Sequence, residues 1–228
     1  MNILAIETTG AVASVALVSP ERIIAEFSIN NNMTHSALLM PLIDTMLHSA
    51  AFDKRDIGYI ACSSGPGSFT GLRIGAAAAK GLAFALSRRI VRVPTLDALA
   101  YNVFSGASEV VIPIMDARRG QVYTALYGQQ KDGLHRLTED MACDFDHVAQ
   151  LAADTGKSIV FLGDGCAVHA DKIAAMENAR IAPLQHLLQR AASVGTFAMR
   201  TAEAAIDPAD FEPAYIRQSQ AEREASKT

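Results

Sequence analysis

The stretch Asn2-Ile3-Leu4-Ala5-Ile6-Glu7-Thr8-Thr9-Gly10, with Val12-Ala13-Ser14-Val15-Ala16-Leu17-Val18 after it, decides how the chain is read. Two short, β-prone apolar runs flank a polar turn, and an acid closes the first. That pattern predicts strands over residues 2–7 and 12–18 joined as a hairpin. A third strand at 22–29 follows the turn Ser19-Pro20-Glu21. Apolar residues at helical spacing then predict a helix from Thr34 to Ala50. Next come a strand over 57–63, the turn Gly65-Pro66-Gly67-Ser68-Phe69-Thr70-Gly71, and a helix to about Ser87. The order is βββαβα.

A short strand near 90–93 and a helix from Thr95 to about Phe104 lead into a second half with the same order. It has strands near 110–116, 120–127 and 133–140, a helix near 145–152, a strand at 158–162, the turn Gly163-Asp164-Gly165 and a helix. A further helix is expected over 184–205, followed by a polar, helical tail. Setting Glu7 against Asp116, each at the end of a first strand, aligns Ala16-Leu17 with Ala125-Leu126 without a gap. Shared order and shared turns point to a duplication: two α/β subdomains, 1–105 and 106–228, facing across a cleft as in the actin/hexokinase (ASKHA) fold. The tail after about 213 is expected to return to the N-terminal half.

Composition narrows the function classes. The 228 residues are 50% hydrophobic and 19% charged, with no Trp and a mean hydropathy of +0.17, the balance of a folded chain with ample core. A net charge of −4 and a pI near 5.8 argue against a protein that grips nucleic acid alone, since such proteins present a basic face. The basic clusters are Arg88-Arg89 with Arg92, and Arg118-Arg119. Cys62, Cys143 and Cys166 form no CxxC pair, which fits a reducing compartment. The N-terminal run lacks the basic start and unbroken apolar core of a signal peptide. A cytoplasmic protein is expected.

In the ASKHA architecture phosphates lie between turns that follow acidic strand ends, and backbone N–H groups of such turns form anion-binding concavities. Glu7, Thr8 and Thr9 in one half, and Asp116, Gly163 and Gly165 in the other, are the corresponding candidates. The first turn lacks the usual glycine, so a β-branched side chain stands where a phosphate should meet backbone. Gly65–Gly71 matches neither a P-loop nor the dinucleotide fingerprint. Gly65, Gly67 and Ser68 could present a helix N-terminus to an anion, or the loop could be only a tight connection whose helix is capped by Ser68 or Thr70. No histidine pair has metal-ligand spacing, and no nucleophile motif is present.

The 34–50 helix carries two neighbouring apolar rows, Leu38/Leu42/Met46 and Leu39/Ile43/Leu47, with Pro41 expected to bend it or delay its start. Either both rows are core, or one is offered to a partner.

Several segments together resemble the TsaB (YeaZ) family. They are Met1–Val18 with its Ile-Glu-Thr-Thr turn, Thr34-His35-Ser36 leading to Leu39-x-Pro41-Leu42-Ile43, Gly65 through Gly75, Asp116-Ala117-Arg118-Arg119-Gly120-Gln121-Val122-Tyr123, and Pro213-Ala214-Tyr215-Ile216-Arg217. The resemblance implies a non-catalytic partner of TsaD, the metal-binding enzyme that transfers threonylcarbamoyl to adenosine 37 of tRNA in bacteria, with the ATPase TsaE as third component. TsaD carries a His-x-x-x-His pair where this chain has Thr95-Leu96-Asp97-Ala98-Leu99, so Thr95 and Leu99 stand at the histidine positions. The reading that follows has no catalytic or metal residue, no tightly bound cofactor, ATP or ADP at most at a subunit joint, tRNA met only through the complex, and a homodimer when TsaD is absent. His35, Leu38, Leu39, Leu42, Ile43, Met46, Arg73, Ala76 and Lys80 are the expected partner surface. The rival is a stand-alone ATPase or small-molecule kinase using Glu7, Asp116 and the 163–165 turn.

Overall fold

The computed structural model describes residues 1–31, 34–103, 106–130 and 133–216. The end of the expected helix at Phe104, Ser105 at the expected subdomain boundary, Arg217 and the helical tail lie outside the described residues. The first half runs β1 (Ile3–Glu7), β2 (Ala13–Val18), β3 (Ile23–Ile29), α1 (His35–Ser49), β4 (Tyr59–Ser63), α2 (Phe69–Leu86), β5 (Arg89–Val93) and α3 (Thr95–Ala100). The second runs β6 (Glu109–Asp116), β7 (Gln121–Thr124), β8 (Tyr127–Gln130), β9 (Gly133–Arg136), β10 (Met141–Asp144), α4 (Phe145–Asp154), β11 (Ser158–Leu162), α5 (Gly165–Val168), α6 (Ala170–Ala174), β12 (Ala179–Ile181), α7 (Leu184–Leu187) and α8 (Ala191–Thr201).

The first sheet has the order β3-β2-β1-β4-β5. β1 pairs antiparallel with β2 (Glu7 opposite Ser14) and parallel with β4 (Ile6 opposite Cys62). β1 is buried at every residue because both faces of the sheet are covered, as expected for a strand at the centre of a three-layer stack. Leu4, Ile6, Val15 and Leu17 pack beneath α1 and α2; Ile3, Ala5, Ala16 and Val18 pack beneath α8. α2 has the length and apolarity to cross a membrane by composition alone. Here Gly71, Leu72, Gly75, Ala76, Ala79 and Ala83 turn its small-residue face onto the first half's core.

The second sheet has the order β10-β7-β6-β11-β12, with β8 beside β6 and β9 beside β8. β6 is long enough to pair with two strands along one edge: Val110 and Val111 with β8, then Ile114 to Asp116 with β7. The single strand expected over 120–127 is therefore split, and Ala125-Leu126, the supposed counterpart of Ala16-Leu17, falls in the break. Leu126 there donates its N–H to Thr138 Oγ1 at 3.0 Å.

The chain also leaves its second half earlier than expected. The helix foreseen over 184–205 breaks at Arg190, which is extended (φ −137°, ψ 135°). From there α8 lies on the first sheet, so the return begins near 190, and the chain beyond 213 lies on the first half as expected, the Ala214 N–H donating to the Ser64 carbonyl at 2.6 Å. The cause is specific. Arg190 pairs with Glu26 on β3, while Ser14 Oγ and Glu26 Oε1 accept the N–H groups of Ala191 and Ala192, each at 3.0 Å. Those are orphan donors of a helix start, supplied by the sheet itself. A Cβ on Gly195 would stand 2.6 Å from Val18 Cγ2, so only glycine lets the helix approach this closely.

Candidate functional site: the cleft and the glycine loop

A cleft of about 530 Å³ opens between the halves, lined by residues 9–11, 66–70, 115–118 and 214–216, with Tyr123 and Asp164. Of the expected phosphate contacts, Thr9, Gly67, Ser68 and Asp116 line it. Glu7, Thr8, Gly65, Gly163 and Gly165 do not.

Glu7 is 1% exposed. Its Oε1 accepts the Thr9 N–H and the Thr9 hydroxyl, both at 2.6 Å, and its Oε2 accepts the Ser63 hydroxyl. Burial raises its pKa, and the three hydrogen bonds pull the other way. The expectation of a cleft-facing acid is corrected: Glu7 is an internal brace that fixes the β1–β2 turn. Ser63, which sequence reasoning passed over, is its partner from β4 and carries no local signal of that role.

The turn that Glu7 braces packs directly against the glycine loop. Thr8 Oγ1 donates to the Gly71 carbonyl at 2.8 Å, and the Ser68 N–H donates to the Thr9 carbonyl at 2.7 Å. A Cβ on Gly71 would lie 2.0 Å from the Thr8 carbonyl oxygen, and one on Gly67 would lie 2.6 Å from Thr9 Cβ. The glycines are there for close approach, and what approaches is the chain's own Thr8-Thr9 turn. Ser68 caps α2 by accepting from Gly71 N at 3.3 Å. Gly65 is held from two sides. Its N–H donates to Thr95 Oγ1 at 3.1 Å and its carbonyl accepts from Thr95 N at 2.8 Å. A Cβ there would meet the Ala214 carbonyl at 2.2 Å. Thr95 and Leu99 are both buried, Leu99 in the core beneath α3.

On the opposite wall, Asp116 Oδ1 accepts the Arg118 N–H at 2.8 Å. That bond holds a hairpin tip in which Arg118, Arg119 and Gly120 all have positive φ (64°, 59° and 76°). Asp164, the residue of the 163–165 turn that reaches the cleft, accepts the Asp116 N–H at 3.1 Å. Burial holds its carboxyl above the usual range. Gly163 and Gly165 back onto Ile114, whose carbonyl would lie 2.2 and 2.9 Å from an added Cβ. Their role is packing of the β11–α5 turn. Among the described residues no group of three or more His, Cys, Asp or Glu is placed to hold a metal ion.

The expected partner surface is also corrected. Leu39, Leu42, Ile43, Met46 and Ala76 are core residues, so both apolar rows of α1 face inward, and only Leu38 and Leu47 are partly open. α1 continues unbroken through Pro41 from a start at His35, because the packing of those four side chains outweighs the lost backbone bond. His35 is turned inward, its Nε2 2.9 Å from the Gly10 carbonyl. Arg73 is exposed and stacks 4.0 Å over the Phe69 ring, which in turn meets Tyr215 at 5.0 Å. Lys80 reaches the Ala209 carbonyl at 3.2 Å. The outward surface of the two helices presents Met40 (48% exposed) and Phe84 (84% exposed).

The family model described as TsaD, tRNA N6-adenosine threonylcarbamoyltransferase, matches residues 22–225. The tRNA threonylcarbamoyladenosine biosynthesis protein TsaB of Bacillus subtilis is 34% identical over 175 residues, covering 76% of this chain and 75% of that protein. The chain belongs to the TsaB family. A crystal structure of a Pseudomonas aeruginosa protein described as similar to peptidase YeaZ superposes with a TM-score of 0.81 at 26% identity, over 95% of this chain and 99% of that one. The ADPNP-bound activator of a Clostridium difficile 2-hydroxyisocaproyl-CoA dehydratase shares the fold at a TM-score of 0.52 and 11% identity, covering 90% of this chain and 96% of its own. The TsaB chain is thus an ASKHA-fold protein.

Proposed function

We propose that the chain is a non-catalytic subunit of tRNA threonylcarbamoyladenosine biosynthesis, working in the cytoplasm beside a TsaD enzyme with the ATPase TsaE as third component. The observation that carries this reading is the filled phosphate turn: Thr8 and Thr9 occupy the glycine loop, and Glu7, the would-be catalytic acid, is tied to Thr9 and Ser63. Thr95 and Leu99, at the positions of TsaD's metal pair, serve loop and core. A chain so built contributes fold and surface, and the chemistry falls to its partner. ATP or ADP would meet it at a joint between subunits, and tRNA through the assembled complex.

The surface that remains for TsaD is the outer side of α1 and α2, around Met40, Arg73, Ala77, Gly81 and Phe84. Gly81 has nothing within 4 Å of an added Cβ, so a partner helix can come close there. Burying Met40 and Phe84 is worth about 1.5–3 kcal/mol each. Association costs an estimated 4–15 kcal/mol, so both helices must take part. TsaD matches this chain across its length and would bring equivalent helices; a second copy of the chain would use the same surface when TsaD is missing. The test is pull-down of TsaD by the tagged wild type and by Phe84→Glu. Retention of TsaD at wild-type affinity by a folded Phe84→Glu, together with a folded Ala77→Glu, would exclude this surface. An ATP turnover by the isolated chain that rises with an added sugar would favour the kinase reading instead.

A further inference from the structure

A second cavity, of about 670 Å³, shares no lining residue with the cleft. It lies where the end of α3, strands β8 and β9, the segment from β12 to α7, and α8 meet. The chain is net negative, yet the described lining of this cavity includes Arg180, Arg200 and His186 and no carboxylate.

The two guanidiniums differ in what already holds them. Arg180 is paired with Glu109 at 3.0 Å, so its charge is largely answered. Arg200 donates to the Tyr101 hydroxyl and lies 5.7 Å from the centre of that ring. Among the described residues no carboxylate comes within ion-pair distance of it. Its guanidinium is thus placed against an aromatic wall with most of its donors unspent. Gly133 gives it room: a Cβ there would stand 3.1 Å from Arg200 Nη1. His186 Nδ1 is buried and has no partner among the described residues. The backbone carrying it is pinned from below, for Asn102 Nδ2 donates to the carbonyls of His186 and Leu188 at 3.1 and 2.6 Å.

We infer that this cavity is a phosphate-binding site, with Arg200 as the principal contact and Arg180 as a second, weaker one. A guanidinium held against an aromatic ring can direct two N–H groups at two oxygens of a tetrahedral phosphate, and the neighbouring Arg180 adds charge that a dianion uses more fully than a carboxylate does. The phosphate comes either from a free nucleotide or from an RNA backbone, and both present the same group. The site stands apart from the partner surface on α1 and α2, so the inference does not depend on the TsaD reading.

The experiment is amide-resonance titration of the full chain with inorganic phosphate, then ADP, then a short single-stranded RNA, using wild type, Arg200→Ala, Arg200→Lys and Arg180→Ala. Phosphate should shift resonances around Tyr101, Gly133 and Arg200, with about a tenfold loss of affinity in Arg200→Ala, partial recovery in Arg200→Lys, and a two- to threefold loss in Arg180→Ala. Tighter binding of ADP than of phosphate, without salt-steepened RNA binding, identifies a free nucleotide. RNA binding whose log–log salt slope falls by about 0.7 in Arg200→Ala identifies the RNA backbone, that being the value of one single-strand phosphate contact. If none of the three probes moves these resonances, or if Arg200→Ala binds as the folded wild type does, the inference is wrong. Arg200→Lys and Arg180→Ala, both charge-local changes at exposed side chains, keep the test available should Arg200→Ala fold poorly.

Discussion

Replacing Glu7 separates an internal brace from a cleft acid more sharply than any other change. In Glu7→Ala the Thr9 N–H, the Thr9 hydroxyl and the Ser63 hydroxyl all lose their acceptor inside a buried turn. An unsatisfied buried donor costs about 1–3 kcal/mol; with some relaxation of the two hydroxyls, the three together should cost about 3–5 kcal/mol. For a chain of this size about 1 kcal/mol moves Tm by 2–4 °C, so a drop of roughly 6–20 °C is expected in a thermal melt followed by circular dichroism at pH 7. Glu7→Gln keeps an acceptor for Thr9 and lets its amide donate to Ser63, and should lose well under half as much. The pH dependence adds a second reading. Because burial raises the Glu7 pKa above 4.5, its neutral form stabilises the fold fully below about pH 4.5. That contribution is lost as pH rises through the raised value. Glu7→Gln, which has no proton to lose, should show a flatter stability profile over that window. A Glu7→Ala protein that melts within 2 °C of wild type would refute the brace, and with it the idea that the first phosphate turn is internally filled.

Three further outcomes follow from the same geometry. Gly71→Ala should destabilise by more than about 3 kcal/mol, since its Cβ would sit 2.0 Å from a backbone carbonyl that cannot move aside; a melt near that of wild type would show that the loop yields. Arg136→Ala should cost about 2 kcal/mol in denaturant unfolding, because Asp97 of α3 pairs with its guanidinium across the two halves, above the buried Tyr127 ring of β8, and would be left largely buried without its cation. The isolated chain should bind tRNA only in the weak, non-specific range, roughly 10⁻⁴ to 10⁻⁶ M at physiological salt, as filter binding would show; nanomolar affinity would contradict the acidic surface.

Local pattern carried the first half of the fold almost entirely. The β1–β2 hairpin, α1, β4 and the strand-to-helix loop capped by Ser68 all follow from alternation, helical spacing and cap chemistry, which act over a few residues. What failed acts over long separations. That Glu7 points inward depends on Ser63, 56 residues away. That α1 buries both rows depends on α2 lying beside it and on Phe211 joining the same cluster, and neither contact leaves a trace within α1. Arg190 looked like the interior of a long helix because its break is imposed by Glu26 and Ser14 on the far sheet. Asp164 was visible as a turn residue, but its place in the cleft comes from the Asp116 N–H that it accepts. The glycines of the loop were legible as a demand for close approach. What does the approaching, a phosphate or the chain's own threonines, was not.

The position of α8 has a consequence for how the protein comes into being. Half of the first sheet's buried surface, the face of Ile3, Ala5, Ala16 and Val18, is covered only by a helix translated near the end of the chain. At about 5–20 residues per second, that face is synthesised on the order of ten seconds before its cover. During that interval the nascent chain presents a greasy, strand-rich plate to solvent, the kind of surface on which holdase chaperones act. A ribosome that stalls or terminates before Arg190 would release a polypeptide with every strand of both sheets and no lid for the first. Such truncations should accumulate as insoluble protein and not as a shortened, working subunit.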